Sequence, residues 1–240
     1  MSTVPIPMLA NALKELAAAA NNMIQGSKIK NLGNTIQTFA IASAVASAAA
    51  GVVPGLAGTL AAIAQTGLVW SLYVKINKEL GISIKKEKAK FIASAIVTNL
   101  IANAGAIILA LIASSILSLI PGGGVIINAT LGYVIIYACA ILYLQLLTKV
   151  MKAKGTIEFN NDDETKNIIK NVVKDADLKG IVNEGKENFK TVDLDEARKN
   201  PTCQFGNDLP LLHDRVVIYI DAVDNARYLC TDFHLCNRFD

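Results

Sequence analysis

Two long stretches of the chain, Asn31 to Val74 and Phe91 to Thr148, contain no Asp, Glu, Lys or Arg. Between them, Lys75 to Lys90 packs six lysines into a short polar connector. Each silent stretch is interrupted near its middle by a Pro-Gly turn, Val53-Pro54-Gly55 and Ile120-Pro121-Gly122-Gly123-Gly124. A surface helix needs a polar face, and these stretches supply none over most of their length. The pattern reads as two hydrophobic helical hairpins whose open ends carry positive charge, with a lipid bilayer as the expected solvent.

Charge is divided along the chain. Residues 1–148 hold 9 basic and 3 acidic side chains, whereas residues 149–240 hold 14 basic and 17 acidic. The 52% hydrophobic content and mean hydropathy of +0.41 exceed what a soluble globular chain usually carries. A nucleic-acid binder would show a basic stripe with aromatics on a polar domain; here the lysines bracket apolar helices. No secretory signal is evident, because Met1 to Ala10 has no basic start and Leu9 to Ala20 is interrupted by Asn11, Lys14 and Glu15. The four cysteines, Cys139, Cys203, Cys230 and Cys236, are too sparse for a disulfide framework and read as reduced thiols.

The expected organisation has three parts: an N-terminal amphipathic segment (1–30), a hydrophobic helical hairpin domain (31–153) and a soluble C-terminal region (154–240). In the first, Met8 to Met23 places Leu9, Leu13, Leu16 and Ala20 on one side. It can lie on a membrane or cap the bundle; Gly26, Lys28 and Lys30 end it. The arm Ile36 to Val53 would be about 27 Å long as a helix, only marginally enough for a ~30 Å hydrocarbon core. Its Ser43, Ser47, Gly51 and Gly55 fall four apart. Such a small-residue ridge lets helices approach closely in a membrane, and self-association through it is expected. The returning arm, Leu56 to Val74, ends in Trp70 and Tyr73, rings suited to a membrane interface.

The connector is expected to break at Gly81-Ile82-Ser83. Phe91 to Ile120 would extend about 45 Å and Val125 to Thr148 about 36 Å as helices, so tilt, a kink near Gly105 or burial against other helices is required. The amides of Asn99 and Asn103 share a face and are expected to hydrogen-bond across helices. Both Pro-Gly turns are uncharged, while the N-terminus, the connector and the tail after Thr148 are basic. The positive-inside tendency puts those three segments on the cytoplasmic side, with four spans or two re-entrant wedges as the geometries. Beyond, helices are predicted for Asn160–Lys174, capped by Asp162 or Asn161, and for Leu178–Phe189. Val216–Ile220 is the one strand-like run. The fold class is thus mainly α: two Pro-Gly-turn hairpins of four long apolar helices and a small α or α+β C-terminal region.

Residues 51–151 resemble the YcjF-type family, a hydrophobic helical domain often attached to Era-like GTPase domains. The resemblance rests on Val53-Pro54-Gly55-Leu56-Ala57 with Gln65, then Leu80-Gly81-Ile82-Ser83-Ile84 with Lys88-Ala89-Lys90. It continues through Leu119-Ile120-Pro121-Gly122-Gly123-Gly124 and the helix through Asn128, Ala129 and Gly132. It implies a membrane-associated helical domain that sometimes serves a GTPase. No Gly-x-x-x-x-Gly-Lys-Ser/Thr loop occurs, so any GTPase would act as a partner in trans.

Candidate chemistry is thin. Cys203, Cys230, His234 and Cys236 offer zinc-type ligands, but Cys230-x3-His234-x-Cys236 is not the spacing of a zinc knuckle. His213-Asp214 lacks a nucleophile elbow, and Asp193, Asp195 and Glu196 sit in a solvated acidic run. No catalytic, cofactor or metal residues are assigned, and the chain reads as a non-enzyme. The expected function is a membrane-embedded or membrane-associated helical protein, acting by insertion, helix packing and self-association with a tail for partner binding. The alternatives are a pore-forming or membrane-remodelling effector that inserts from a soluble state, and a structural subunit whose helices are buried in protein contacts.

Overall fold

The computed structural model describes residues 7–20, 26–50, 57–116, 124–199, 216–217 and 230–231. The chain is mainly α. The helices are α1 (Pro7–Ala19), α2 (Gly26–Ala50), α3 (Ala57–Leu80), α4 (Lys86–Ile116), α5 (Gly124–Lys154), α6 (Asp162–Asp175), α7 (Leu178–Phe189) and α8 (Leu194–Lys199). Two two-residue strands, β1 (Val216–Val217) and β2 (Cys230–Thr231), pair antiparallel. The Pro-Gly turns at 53–55 and 120–123 lie outside the described residues, as does most of the strand-like run after Val217.

The four long helices are longer at their charged ends than the silent stretches suggest. α2 starts at Gly26, where the sequence reading ended the preceding helix. The stripe Leu32, Ile36, Phe39 and Ala40 is buried, and that apolar periodicity carries the helix back toward its basic start. α3 runs through Lys75 and Lys78 to Leu80 because Ile76 and Leu80 continue the buried face of Leu72 and Tyr73. Gly81 stops it at φ 72°. Its N–H bonds Lys78 O (3.2 Å) while Ile82 N–H bonds Asn77 O (2.8 Å), the paired bonds of a Schellman C-cap. α4 continues through Gly105 with no break in the helix.

α5 occupies the centre, packed by α1, α2, α3, α4, α6 and α7. From Ile136 to Leu144 every residue is buried, on all sides of the helix. Contacts fix the directions of its neighbours. Ser43 Oγ, late in α2, donates to Gly132 O, early in α5 (2.9 Å), so these helices run antiparallel. Tyr73 O–H donates to Cys139 O (2.9 Å) and Tyr143 O–H to Asn77 Oδ1 (2.7 Å), which sets α3 parallel to α5. The Tyr73 and Tyr143 rings stack at 3.9 Å. Tyr73, Tyr133, Tyr137 and Tyr143 are all core residues, so the expected interfacial role of Tyr73 is not seen.

The core is continuous across the boundaries expected at 30 and 153. Leu9, Leu13 and Leu16 of α1, Ile169 and Val173 of α6 and Ile181, Val182 and Phe189 of α7 join the cluster built on α5. The C-terminal helices are positioned by their own caps. Asn161 Oδ1 accepts from Asp163 N–H (2.8 Å) and Glu164 N–H (3.1 Å), and Asp177 Oδ1 accepts from Gly180 N–H (2.9 Å).

Ser43 and Ser47 are buried within the chain, in contacts of α2 with α5. A Cβ built on Gly132 would meet Ser47 Oγ at less than van der Waals distance and Ser43 O at 2.6 Å. Here the small-residue ridge holds α2 against α5. Gly51 and Gly55 lie outside the described residues. An exposed helical Gly→Ala gains about 1 kcal/mol of propensity. Gly132→Ala is expected instead to lose about 1–3 kcal/mol, because the clash with backbone forces the helices apart. Chemical denaturation checks this, and unchanged or raised stability would contradict the close approach.

Candidate functional site

Burial changes midway along α4. On α4, Ile92, Ala93, Ile96, Val97 and Leu100 are buried, with Ser94 and Thr98 as the exposed positions between them. Beyond Leu100, Ile101, Ala102, Asn103, Ala106, Ile107 and Ala110 are exposed, leaving Ala104 and Ile108 as the buried positions. Ile101 is 46% and Ile107 42% exposed, the large hydrophobics most open to solvent among the described residues. On α5, Val125 to Asn128 are half-buried, Ala129 and Thr130 are buried, and Gly132 onward is nearly all buried.

Helix α7 packs on α5 near Tyr133 and Tyr137. Its Phe189 ring lies 5.7 Å from Tyr133, and a Cβ on Gly185 would touch Tyr137 and Val134 at 3.1 and 3.5 Å. α7 therefore accompanies α5 only as far as Tyr133. Exposed charges mark its end, where Lys190 Nζ pairs with Glu187 at 2.8 Å. Beyond this edge, the sequences of α2, α3, α4 and α5 contain no charged residue.

Glu184 ties this edge to α1. Its carboxylate accepts from Met8 N–H through both oxygens (3.1 and 3.0 Å) and from Tyr137 O–H (2.6 Å). Pro7 opens α1, where its missing N–H costs nothing, and Met8 carries one of the amides that a helix start leaves unpaired. A carboxylate there also suits the positive end of the helix dipole.

The opposite end holds the lysines, and acidic residues of α6 neutralise several of them. Lys88 pairs with Asp162, Lys149 with Asp175 (3.3 Å) and Lys154 with Glu164 (2.9 Å). Glu79 lies 4.0 Å from Lys75 and accepts from Thr35 O–H at 2.7 Å. Lys86 and Lys90 lie 5.3 and 4.7 Å from the Trp70 ring, so Trp70 is covered by cations rather than left open.

Two sequence-based expectations change. Asn99 and Asn103 do not bond across helices; their amides donate to Ala95 O (2.8 Å) and Asn99 O (2.7 Å) on their own helix. The i−4 carbonyl, which keeps a second lone pair beside its helical bond, lies within each side chain's reach, and Asn103 is exposed. Asp193 caps α8, accepting from Asp195 N–H (3.0 Å) and Glu196 N–H (2.9 Å), and Asp195 and Glu196 are exposed. Of the weighed zinc ligands, Cys230 lies in β2; Cys203, His234, Cys236 and the His213-Asp214 pair lie outside the described residues. Among the described residues, no three His, Cys, Asp or Glu side chains are grouped as metal ligands. Sequence reasoning missed Glu184, whose signal would have been a lone acid among the half-buried positions of α7.

By length and composition, two helices are able to cross a membrane: Lys86–Ile108 of α4 and Val125–Lys154 of α5. They differ in surroundings, 39% of the apolar window being buried in α4 and 67% in α5. Comparisons with protein-family models, curated proteins and solved structures give no match, so the likeness of residues 51–151 to the YcjF-type family rests on its motifs alone.

Replacing Glu184 by Ala removes the acceptor shared by Met8 and Tyr137. The expected cost is about 1–3 kcal/mol, with faster amide exchange in α1. Lys190→Ala, which breaks only an exposed pair, is expected to cost under about 1 kcal/mol. Equal α1 protection in the Glu184 variant and the native protein would show that this contact does not hold α1.

Proposed function

We propose that the protein associates with a lipid bilayer through the charge-free end of its bundle and keeps its lysine-rich end and C-terminal helices in water. The observation that carries this reading is the set of exposed apolar positions Ile101, Ala102, Ala106, Ile107 and Ala110 on a stretch of α4 that carries no charge. Water solvates such a face poorly, and an exposed contiguous apolar patch marks a membrane or partner surface. By the positive-inside tendency the lysine end lies on the cytoplasmic side. The action is mechanical: insertion of the apolar end and display of α6, α7 and the tail to partners. The YcjF-type resemblance adds a GTPase in trans to that class of partner.

The sheathing of α5 favours a second reading, an effector that is soluble until its hairpins insert. The more buried of the two span-length helices is enclosed by α1, α2, α3, α4, α6 and α7. For α5 to cross a bilayer, α1, α6 and α7 would have to leave it. Fractionation after expression, followed by dye leakage from vesicles, separates the readings. An anchored protein stays with membranes and leaks nothing, while an inserting effector is recovered in the soluble fraction and releases dye.

Ile107→Lys tests the shared premise. Ile107 is exposed, so the substitution leaves the fold intact, whereas a lysine at the centre of a membrane helix costs about 2.5–3.5 kcal/mol. Flotation with phosphatidylcholine–phosphatidylglycerol vesicles is expected to fall by on the order of a hundredfold in partitioning. Lys170→Glu, on the exposed face of α6, is expected to float as the native protein does. Native flotation by the Ile107 variant would remove this face from the membrane-binding surface.

A further inference from the structure

We infer that Trp70 of α3, with Lys86 and Lys90 of α4, forms a binding site for a phosphate monoester. The site goes beyond the membrane reading and does not depend on it. A soluble phosphate ester and a phosphatidic acid head group carry the same chemistry, and Lys90 stands roughly 16 Å along α4 from the exposed Ile101.

The lysines at the start of α4 divide between two sides. Lys88 pairs with Asp162 of α6 and lies 5.5 Å from the Phe91 ring. Lys86 and Lys90 stand four apart and so share one face of the helix, and that face meets α3. Their ammonium nitrogens lie 5.3 and 4.7 Å from the centre of the Trp70 ring. Two like charges at this spacing repel, and the π-face of a single indole answers them only in part. Lys90 is exposed and makes no ion pair among the described residues. Both lysines belong to the start of α4, where the helix dipole adds positive potential. Glu87, the acid of the same turn, is exposed and offsets part of it.

A second observation does not involve the lysines. Trp70 is half-buried, and its indole Nε1 is shielded from water with no hydrogen-bond acceptor. A buried indole N–H ordinarily has one. Three donors from two helices, two of them charged, therefore gather at one ring. The acceptor that suits them is an oxyanion with several oxygens around one atom. A carboxylate offers two, whereas a phosphate monoester offers three and nearly two negative charges. Lysine meets phosphate as a point charge on a flexible four-carbon stem. Both ammoniums are thus able to turn from the ring to a ligand beside it, and the indole N–H gains an acceptor.

Trp70 is the single tryptophan of the chain, so its emission reads this site in the full-length protein. The probes are glycerol 3-phosphate in solution and phosphatidylcholine vesicles with or without phosphatidic acid, at about 0.1 M salt. Equilibrium dialysis of radiolabelled glycerol 3-phosphate and vesicle flotation measure binding directly. The expected result is saturable binding of one or both phosphate carriers with a change in Trp70 emission. The double variant Lys86→Gln/Lys90→Gln is expected to bind at least tenfold more weakly. Lys152→Gln/Lys170→Gln, which removes equal charge at two exposed positions, should bind as the native protein does, and Glu87→Gln at least as tightly. Binding of glycerol 3-phosphate assigns the site to a soluble ester; dependence on phosphatidic acid alone assigns it to a lipid head group. Binding equal in the native protein and the Lys86/Lys90 double variant, or no binding of either carrier, would overturn the site and leave the lysines as a cover for the ring. Either result leaves the apolar positions of α4 to their own test by Ile107→Lys. Native helix content by circular dichroism is required of each variant. Lys90→Gln alone, at an exposed position, is expected to weaken binding at least threefold and keeps the test decisive if the double variant misfolds.

Discussion

An α-helix apolar on every side can be solvated only by lipid or by other helices, and α5 is such a helix over its buried length. Protein does the solvating from Gly132 to Met151, and the rest of the architecture follows from that demand. α2 reaches α5 closely because Gly132 lacks a side chain where Ser43 and Ser47 approach. α3 supplies the stacked Tyr73 to Tyr143 and the amide of Asn77, so the polar atoms carried inward find partners. The amphipathic helices α1, α6 and α7 close the remaining sides, each burying one apolar face and turning charge outward.

The sheath also decides what the lysines do. A basic connector beside apolar helices suggests a belt for anionic head groups, yet Lys88, Lys149 and Lys154 lie against acids of α6. Exposed pairs of this kind contribute little stability singly. Their effect is registration: Asp162, Glu164 and Asp175 place both ends of α6 against the bases of α4 and α5. The acidic surplus of residues 149–240 thus has a local use as counter-charge to the basic first part of the chain.

Much of this was legible in the sequence. The charge-free stretches and their Pro-Gly interruptions located the long helices, α7 was bounded at Leu178–Phe189, and Gly81 was read as the break after α3, where its positive φ closes the cap. The Ser43–Ser47 ridge was correctly read as a site of close helix approach, but its partner was not readable. Pairing such a ridge needs tertiary register, and Gly132 lies 85 or more positions away along the chain. The same limit hid the contacts of α7. Nothing local in residues 178–189 says that this helix stops beside Tyr133, or that Glu184 closes the start of α1. The interfacial reading of Tyr73 failed because a tyrosine near a lysine looks alike from sequence whether its ring meets head groups or another tyrosine.

The central claim is that α5 keeps its protein sheath while the charge-free tip enters the membrane. Val134 and Gly185 offer the most direct test, since a Cβ on Gly185 lies 3.5 Å from the Val134 side chain. Cysteines at these two positions, with the four native cysteines replaced, would tether α7 to α5 when oxidised. Vesicle flotation is then measured for the oxidised and reduced forms of the same protein. Equal binding of both is the predicted result, because α7 has no need to move. Binding that appears only on reduction would contradict the account and show that α5 must be unsheathed to meet lipid.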